Sequence, residues 1–408
     1  MRVIAAADIE AATGGRLTIR AGDVLTPLAR ERAADLGVTI EVAGTSVAPA
    51  AAAGRGTAAA GSPPDPPSGA LYRRGAPVVT DRVRPDSFPR PLGPVRRATV
   101  VGAGHVGATT ALALAEADVF GEVVLVDVAA GLAAGLALDL AHSAPLRNFA
   151  TRLRGTTGLA EAGPSEFVVI TAGRARQPGM SRTDLTAANA AIVVDVAGAV
   201  RRHSPGAVVV VVTNPLDEMT HLAWTVTGFP PARVVGMAGV LDAARFRALA
   251  AAAAGERPDA VSALALGSHG EEMVVPLSQA RIAGQPIERR LDRATIDRLV
   301  ERTRGAGAEV VGLLQQGSAY YAPAAAVAQM VLAMAKDTGE VLPVCARADG
   351  TYGISDVYVG LPARLGAGGV AEIVEVALSP DELEGLRLAA RRISGRLAAL
   401  PATVPAGA

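Results

Sequence analysis

Six consecutive residues constrain this chain more than any others: Gly102-Ala103-Gly104-His105-Val106-Gly107. They follow a short apolar run, Ala98–Val101, and open a helical stretch, Ala108–Ala117. A G-x-G-x-x-G loop between strand and helix has a physical rationale. The glycines allow a tight turn, close approach of a pyrophosphate, and tight packing of helix on strand, and the helix N-terminus offers free N–H groups to phosphate. A second apolar run, Glu122–Val126, ends at Asp127, 20 residues past Gly107. A carboxylate there accepts hydrogen bonds from the adenosine ribose hydroxyls and repels a 2′-phosphate, so NAD is the expected cofactor rather than NADP. His105 occupies a variable position of the loop, and its side chain is assigned no role. In a chain with 45 glycines the hexapeptide alone is a weak signal; its strand, helix and aspartate give it weight.

The pattern stays regular from Arg97 to about Leu400. Phe167–Thr171 and Ala207–Val212 are further buried-strand candidates with helical stretches between them. Strands alternating with helices predict a doubly wound parallel sheet. The expected fold class is α/β: a Rossmann-type NAD-binding domain over 97–238, then an α+β substrate-binding and catalytic domain over 239–400. Residues 1–43 read as a small α+β module, with strands near Arg2–Ile4, Leu17–Ile19 and Val38–Val42 and helices over Ile9–Ala12 and Leu28–Leu36. At roughly 40 residues its independent stability is marginal. Residues 44–96 hold ten of the chain's 27 prolines and predict an extended, mostly disordered linker. Its later part, 71–97, has seven arginines against two aspartates, which reads as a solvated tether.

Composition excludes several classes. Lys+Arg and Asp+Glu are both 39, so the chain lacks the basic excess of a general nucleic-acid or anionic-membrane binder. The one cysteine, Cys345, permits no intrachain disulfide and no Cys-based metal site, which fits a reducing cytoplasm. No apolar run reaches the roughly 18 residues of a membrane span, and no signal peptide is expected. Lys336 is the sole lysine, so 38 of the 39 basic residues are arginine. An arginine here is informative only through its position.

Five histidines are present, at 105, 142, 203, 221 and 269. His269 stands apart. It follows the apolar run Val261–Leu266 within Gly267-Ser268-His269-Gly270, small neighbours that give access at a strand end. Oxidising an alcohol by hydride transfer needs a base for the hydroxyl proton, and a neutral imidazole near pH 7 suits that task. A carboxylate on the far ring nitrogen would fix the tautomer. Asp242, in Gly236–Arg245, is the candidate.

These segments, with Pro178–Arg182, Val212-Thr213-Asn214-Pro215-Leu216-Asp217 and Gly317–Pro323, occur in order over about 300 residues. Together, residues 97–400 resemble the malate dehydrogenases of the lactate-dehydrogenase-like superfamily. The resemblance implies that His269, oriented by Asp242, accepts the proton when malate is oxidised. It implies that Arg245 holds the substrate carboxylate as a bidentate fork, and that Arg182 polarises the reacting carbonyl. Asn214 would bind substrate and the nicotinamide side, Val212 and Thr213 would lie near the cofactor, and Asn189 would contact NAD. Relatives form homodimers or homotetramers, and an oligomer is implied here on that ground alone.

Substrate choice rests on the loop Gly173–Arg182, expected to close over the site and deliver Arg182. In this superfamily the position six before the carbonyl-polarising arginine reads the substrate's distal group. Lactate enzymes have an uncharged residue there, and malate enzymes an arginine. Here it is Arg176, so malate/oxaloacetate is expected; the alternative is an L-lactate or other 2-hydroxy-acid dehydrogenase. Gln177 stands where a lysine is common in the family. Arg174 is expected to face solvent, although a register shift would set it in competition with Arg176. A catalytically dead NAD-binding scaffold is disfavoured because every catalytic position is filled.

Residues 3–42 resemble a segment at the N-termini of some bacterial microcompartment enzymes, through Ala7-Asp8-Ile9, Leu25–Arg30 and Leu36–Ile40. A weaker similarity, over Thr26–Gly37, is to the peripheral subunit-binding module of 2-oxoacid dehydrogenase complexes. Both imply a recruitment module that brings a cytoplasmic enzyme to a microcompartment or enzyme complex. The competing expectation is a dispensable extension.

Overall fold

The computed structural model describes residues 3–4, 9, 11–12, 15–20, 23–25, 33, 36–43, 96–174, 182–315 and 317–400. The chain forms two compact units, Met1–Arg84 and Pro85–Ala408. In the first, strands β1 (Val3–Ile4) and β3 (Val24–Leu25) pair in parallel, as do β2 (Arg16–Arg20) and β4 (Thr39–Ala43). Ile4, Ile9, Ile19 and Ala33 form its core. β3 has no counterpart in the sequence expectations. Of the helix expected over 9–12, Ile9 is helical and buried, but Ala11 lies in a turn and Ala12 in neither helix nor strand; the helix expected over 28–36 falls largely outside the described residues, with Ala33 helical and buried and Leu36 in a turn. The expected linker also lies outside them, except for Arg96. That residue belongs to the second unit, where its guanidinium pairs with Glu166 at 2.9 Å and donates to the Ala335 carbonyl at 3.0 Å.

The second unit begins with β5 (Arg97–Val101), α1 (His105–Glu116), β6 (Glu122–Val126), α2 (Leu132–His142), β7 (Arg152–Thr156) and β8 (Phe167–Ile170). It continues through α3 (Arg182–His203), β9 (Val208–Val211), α4 (Leu216–Thr227) and β10 (Val234–Gly236). These six strands pair in parallel in the order β7-β6-β5-β8-β9-β10. This unit therefore starts in the middle of its sheet and winds outwards both ways, with the topological switch point at the carboxyl ends of β5 and β8. β6, β8 and β9 are buried at every position, as strands covered on both faces must be. Glu122 opens β6 with 6% exposure. Burial alone would raise its pKa, but Arg97 at 2.6 Å and Arg154 at 3.4 Å outweigh that and hold it low.

The span Thr183–His203 of α3 is long enough, with a mean hydropathy of 1.3, to cross a membrane by composition. Its arrangement accounts for its apolarity in another way. Ala190, Val193, Ala197 and Val200 repeat at three- to four-residue spacing and are buried in the same cluster as β8 and β9. The sequence has no continuous apolar run here because Asp184, Asn189 and Asp195 interrupt it.

The second half contributes α5 (Gly239–Ala254), β11 (Val261–Ser262), β12 (Leu266–Gly267), β13 (Met273–Val274), β14 (Arg281–Ile282) and β15 (Gln285–Pro286). It ends with α6 (Arg293–Leu314), α7 (Tyr321–Ala335), β16 (Val341–Asp349), β17 (Ser355–Gly366), β18 (Gly369–Ile373) and α8 (Pro380–Ala398). β16 pairs antiparallel with β10 through Gly236 and Cys345, so one 11-stranded sheet joins both halves. Gly236 permits that join, since a Cβ on it would lie 2.5 Å from Thr220 Oγ1 and 2.9 Å from Cys345 Cβ. The apolar run Val261–Leu266 is not one strand, contrary to expectation. Val261 pairs with Ile282 in a small separate sheet, whereas Gly267 pairs with Gly360 in the main one. Tertiary pairing divides a run that looks continuous.

Candidate active site

The glycine loop has the expected form. Gly102 sits at φ +103, and a Cβ there would lie 2.6 Å from the Ala172 nitrogen. A Cβ on Gly107 would lie 1.8 Å from the Gly102 carbonyl oxygen. These two glycines are needed by the protein itself. Gly104 differs, because a Cβ there meets nothing within 4 Å. It is the N-cap of α1 and makes no side-chain capping bond, so no side chain of the N-cap occupies the first N–H groups of the helix. Asp127 follows β6, and its carboxylate accepts from Ala103 N at 2.7 Å and Ala129 N at 2.9 Å. It thereby ties the loop to the strand end expected to meet the ribose. An uncapped helix start, open room at Gly104 and a fixed carboxylate fit a dinucleotide. The His105 ring packs on Tyr320, centroids 5.0 Å apart, joining the loop to the start of α7.

On the side expected to border the nicotinamide, Thr213 Oγ1 donates to the Ala172 carbonyl at 2.7 Å, and Val212 is buried just after β9. Asn189 projects from α3 and is 2% exposed. Its oxygen accepts from Arg174 N at 2.7 Å, and its NH₂ donates to the Asn214 carbonyl at 2.7 Å and the Arg174 carbonyl at 3.3 Å. The amide expected to contact NAD is thus engaged in bracing two cofactor-side loops. Arg174 itself is exposed, as expected.

Asp242 lies in the first turn of α5 and is 4% exposed. Its Oδ2 is 2.7 Å from His269 Nδ1, and its Oδ1 accepts from Arg245 Nη1 at 3.1 Å. An ionised carboxylate only accepts, so Nδ1 carries the ring proton and Nε2 is left free for chemistry. Burial alone would lower the His269 pKa, but the Asp242 charge and hydrogen bond outweigh it and raise the pKa above its usual value. Arg245 is three residues past Asp242, on the same helix face. His269, Arg245, Asn214, Thr303 and Arg304 line a cavity of about 250 Å³. A larger cavity, about 490 Å³, also touches Asn214 and His269. The imidazole and Asn214 therefore stand where two cavities meet.

Arg176 lies outside the described residues, as do Pro178, Gly179, Met180 and Ser181 of the expected closing loop. Arg182 begins α3, but its side chain is likewise outside the description.

Several site residues escaped sequence reasoning. Asp217 lies within a motif of the site but had no assigned role. It is 2% exposed, and its Oδ2 accepts from Ser268 Oγ at 2.9 Å and His269 N at 3.2 Å. Burial and the neighbouring Glu218 charge raise its pKa to about 6. Thr303 and Arg304 come from α6, whose amphipathic pattern gives no local signal of a site. Arg304 Nη2 donates to the Met273 carbonyl at 3.1 Å, tying α6 to the start of β13.

This geometry, a dinucleotide loop facing a carboxylate-held histidine beside an arginine, is that of a dinucleotide-dependent oxidoreductase. Residues 96–236 match the lactate/malate dehydrogenase NAD binding domain, and residues 239–398 match the alpha/beta C-terminal domain of the same family. A malate dehydrogenase of Nostoc punctiforme is 49% identical over 298 residues, covering 73% of this chain and 90% of that protein. The solved structure of malate dehydrogenase from Salinibacter ruber superposes with TM-score 0.71 at 43% identity, covering 74% of this chain and 96% of that one. The lactate dehydrogenase of Cryptosporidium parvum, complexed with lactic acid and nicotinamide adenine dinucleotide, superposes with TM-score 0.73 at 35% identity, covering 76% and 99%. The chain belongs to the lactate/malate dehydrogenase family. Its cofactor is NAD. Both malate and lactate enzymes share the fold closely, so the fold alone does not choose the substrate.

Proposed function

We propose that the protein is an NAD-dependent malate dehydrogenase that interconverts malate and oxaloacetate. The observation that carries this is the Asp242–His269 pair opening, with Arg245 and Asn214, onto one cavity. When bound, NAD accepts the hydride from malate C2, and NADH returns it to oxaloacetate. Gly102–Gly107 and Asp127 would hold the pyrophosphate and ribose, and Val212, Thr213 and Asn214 would border the nicotinamide. His269 Nε2 takes the hydroxyl proton as malate is oxidised and gives it back in reduction. The Asp242 charge stabilises the imidazolium. Arg245 binds the carboxylate beside the reacting carbon, Arg182 polarises the carbonyl, and Arg176 pairs with the distal carboxylate. Arg176, together with the similarity to malate dehydrogenases at 46–49% identity, supports malate over lactate. The test is NADH oxidation with oxaloacetate and with pyruvate, compared by kcat/KM. A preference for pyruvate would reverse the substrate assignment.

The reading extends to assembly and setting. A homodimer or homotetramer is supported by large apolar side chains left exposed on the second unit, among them Leu138 at 59%, Leu146 at 89% and Leu313 at 77%. Analytical ultracentrifugation tests it. A cytoplasmic setting suits the free, buried Cys345. A recruitment role for 1–43, to a microcompartment shell or an enzyme complex, is supported by a core of its own in a unit separate from the catalytic one. Deleting 1–95 should leave turnover intact and abolish capture by shell proteins; turnover lost with the segment would overturn this role.

A further inference from the structure

His269 is gripped from two sides. Asp242 holds its ring from α5, and Asp217 holds its main chain from α4, with Oδ2 accepting from His269 N at 3.2 Å and from Ser268 Oγ at 2.9 Å. The polarity of this second grip is fixed. Arg396 Nη2 lies 3.2 Å from Ser268 Oγ and can only donate to it, so the hydroxyl proton of Ser268 turns towards Asp217. A main-chain N–H can also only donate. Asp217 Oδ2 therefore receives two hydrogen bonds and serves as an unprotonated acceptor, while Oδ1 takes a weak contact from Cys345 Sγ at 3.4 Å.

Asp217 sits three residues after Asn214, and the Asn214 carbonyl is held by Asn189 at 2.7 Å. One end of this brace is thus the loop carrying Asn214, and the other is the residue carrying the imidazole. A carboxylate 2% exposed is costly to bury and is weakened as an acid by that burial. Filling space would not require it, whereas receiving two donors beside a histidine that must become cationic does.

We propose that Asp217 is a positioning residue for hydride transfer: its buried carboxylate sets the spacing between Asn214 and His269 and adds a second negative charge facing the imidazolium. This rests on the malate dehydrogenase reading.

The test uses the full chain. Wild type, Asp217→Asn and Ser268→Ala are compared in NADH-dependent reduction of oxaloacetate and pyruvate across pH, with NADH binding as the check that each variant is folded. Asp217→Asn is expected to lower kcat by about 10- to 100-fold, with a smaller change in KM. It should also move the pH at which the catalytic acid is lost downwards. Ser268→Ala removes one donor and should shift both quantities the same way by less. If Asp217→Asn does not fold, Ser268→Ala decides. A folded variant with unchanged kcat, or with lower kcat and an unmoved pH profile, overturns the proposal. A wild type that prefers pyruvate overturns the substrate assignment alone, because the variants are then compared with pyruvate. A wild type inactive with both overturns the functional reading and this proposal with it.

Discussion

Asp242 Oδ2 lies 2.7 Å from His269 Nδ1, and the same carboxylate reaches Arg245 through its other oxygen at 3.1 Å. One buried anion therefore holds the His269 imidazole and the Arg245 guanidinium in a single frame. The imidazole cannot rotate without losing Asp242, and Arg245 cannot swing into solvent without leaving a buried charge unpaired.

Asp242→Asn keeps the shape and removes the charge. Burial and the Arg245 charge then act on His269 against Asp217 alone, so its pKa falls from the raised wild-type value. We expect kcat for oxaloacetate reduction to fall by about 10²-fold or more. The high-pH limb of kcat/KM should move to lower pH, measured by steady-state NADH oxidation across pH. A limb that stayed in place would show that Asp242 does not set the His269 charge.

Arg176→Gln should reverse the substrate preference. Oxaloacetate would lose a partner for its distal carboxylate, and pyruvate would no longer leave an arginine unpaired. The ratio of kcat/KM for oxaloacetate to that for pyruvate should fall by about 10²-fold or more. An unchanged ratio would assign the discrimination to another residue, with exposed Arg174 the next to test.

The two ends of the glycine loop should respond differently to alanine. A methyl at Gly107 collides with the Gly102 carbonyl, so Gly107→Ala should lower both thermal stability and NADH affinity. A methyl at Gly104 touches no protein atom within 4 Å. Gly104→Ala should therefore melt like the wild type and yet bind NADH weakly, as titration by fluorescence would show. Tight NADH binding by Gly104→Ala would mean that the pyrophosphate does not approach there.

Asn189→Ala removes an amide that satisfies Arg174 N, Arg174 O and Asn214 O. Leaving such groups unpaired costs about 1–3 kcal/mol, visible in urea unfolding. Because the Asn214 carbonyl loses its anchor, kcat should fall as well. A stability loss without any change in kcat would confine Asn189 to the scaffold.

Stability should also carry a signature of Asp217. Its folded pKa is about 6, against an ordinary value of 3.8. Between those values the folded state holds a proton that the unfolded state has released, so this group favours folding at low pH. Its contribution is lost as pH rises towards 6, by about 3 kcal/mol in all. Subtracting the unfolding free energies of Asp217→Asn from those of wild type across this window should reveal the slope; parallel curves would refute it.

Much of the site was legible because its chemistry is local in sequence. The glycine loop and Asp127 each lie at one strand end, where spacing fixes geometry, whereas the role expected of Arg245 came from the family resemblance. Asp217, Thr303, Arg304 and Arg396 were not legible, because nothing within their own segments indicates which residue lies opposite. The run Val261–Leu266 misled for the same reason: its two ends pair with different sheets, and nothing within the run marks where it divides.

The sequence by itself determined the α/β class and the cofactor loop, since periodicity and short-range spacing are properties of a single segment, and its family resemblance supplied most of the candidate site residues. The tertiary structure alone decided which of them meet. It brought Asp242 to the His269 ring and Asp217 to its main-chain nitrogen, turned Asn189 into a brace and joined both halves through Gly236 and Cys345. Contacts between distant segments depend on packing and strand pairing summed over the whole sheet, which no local pattern contains.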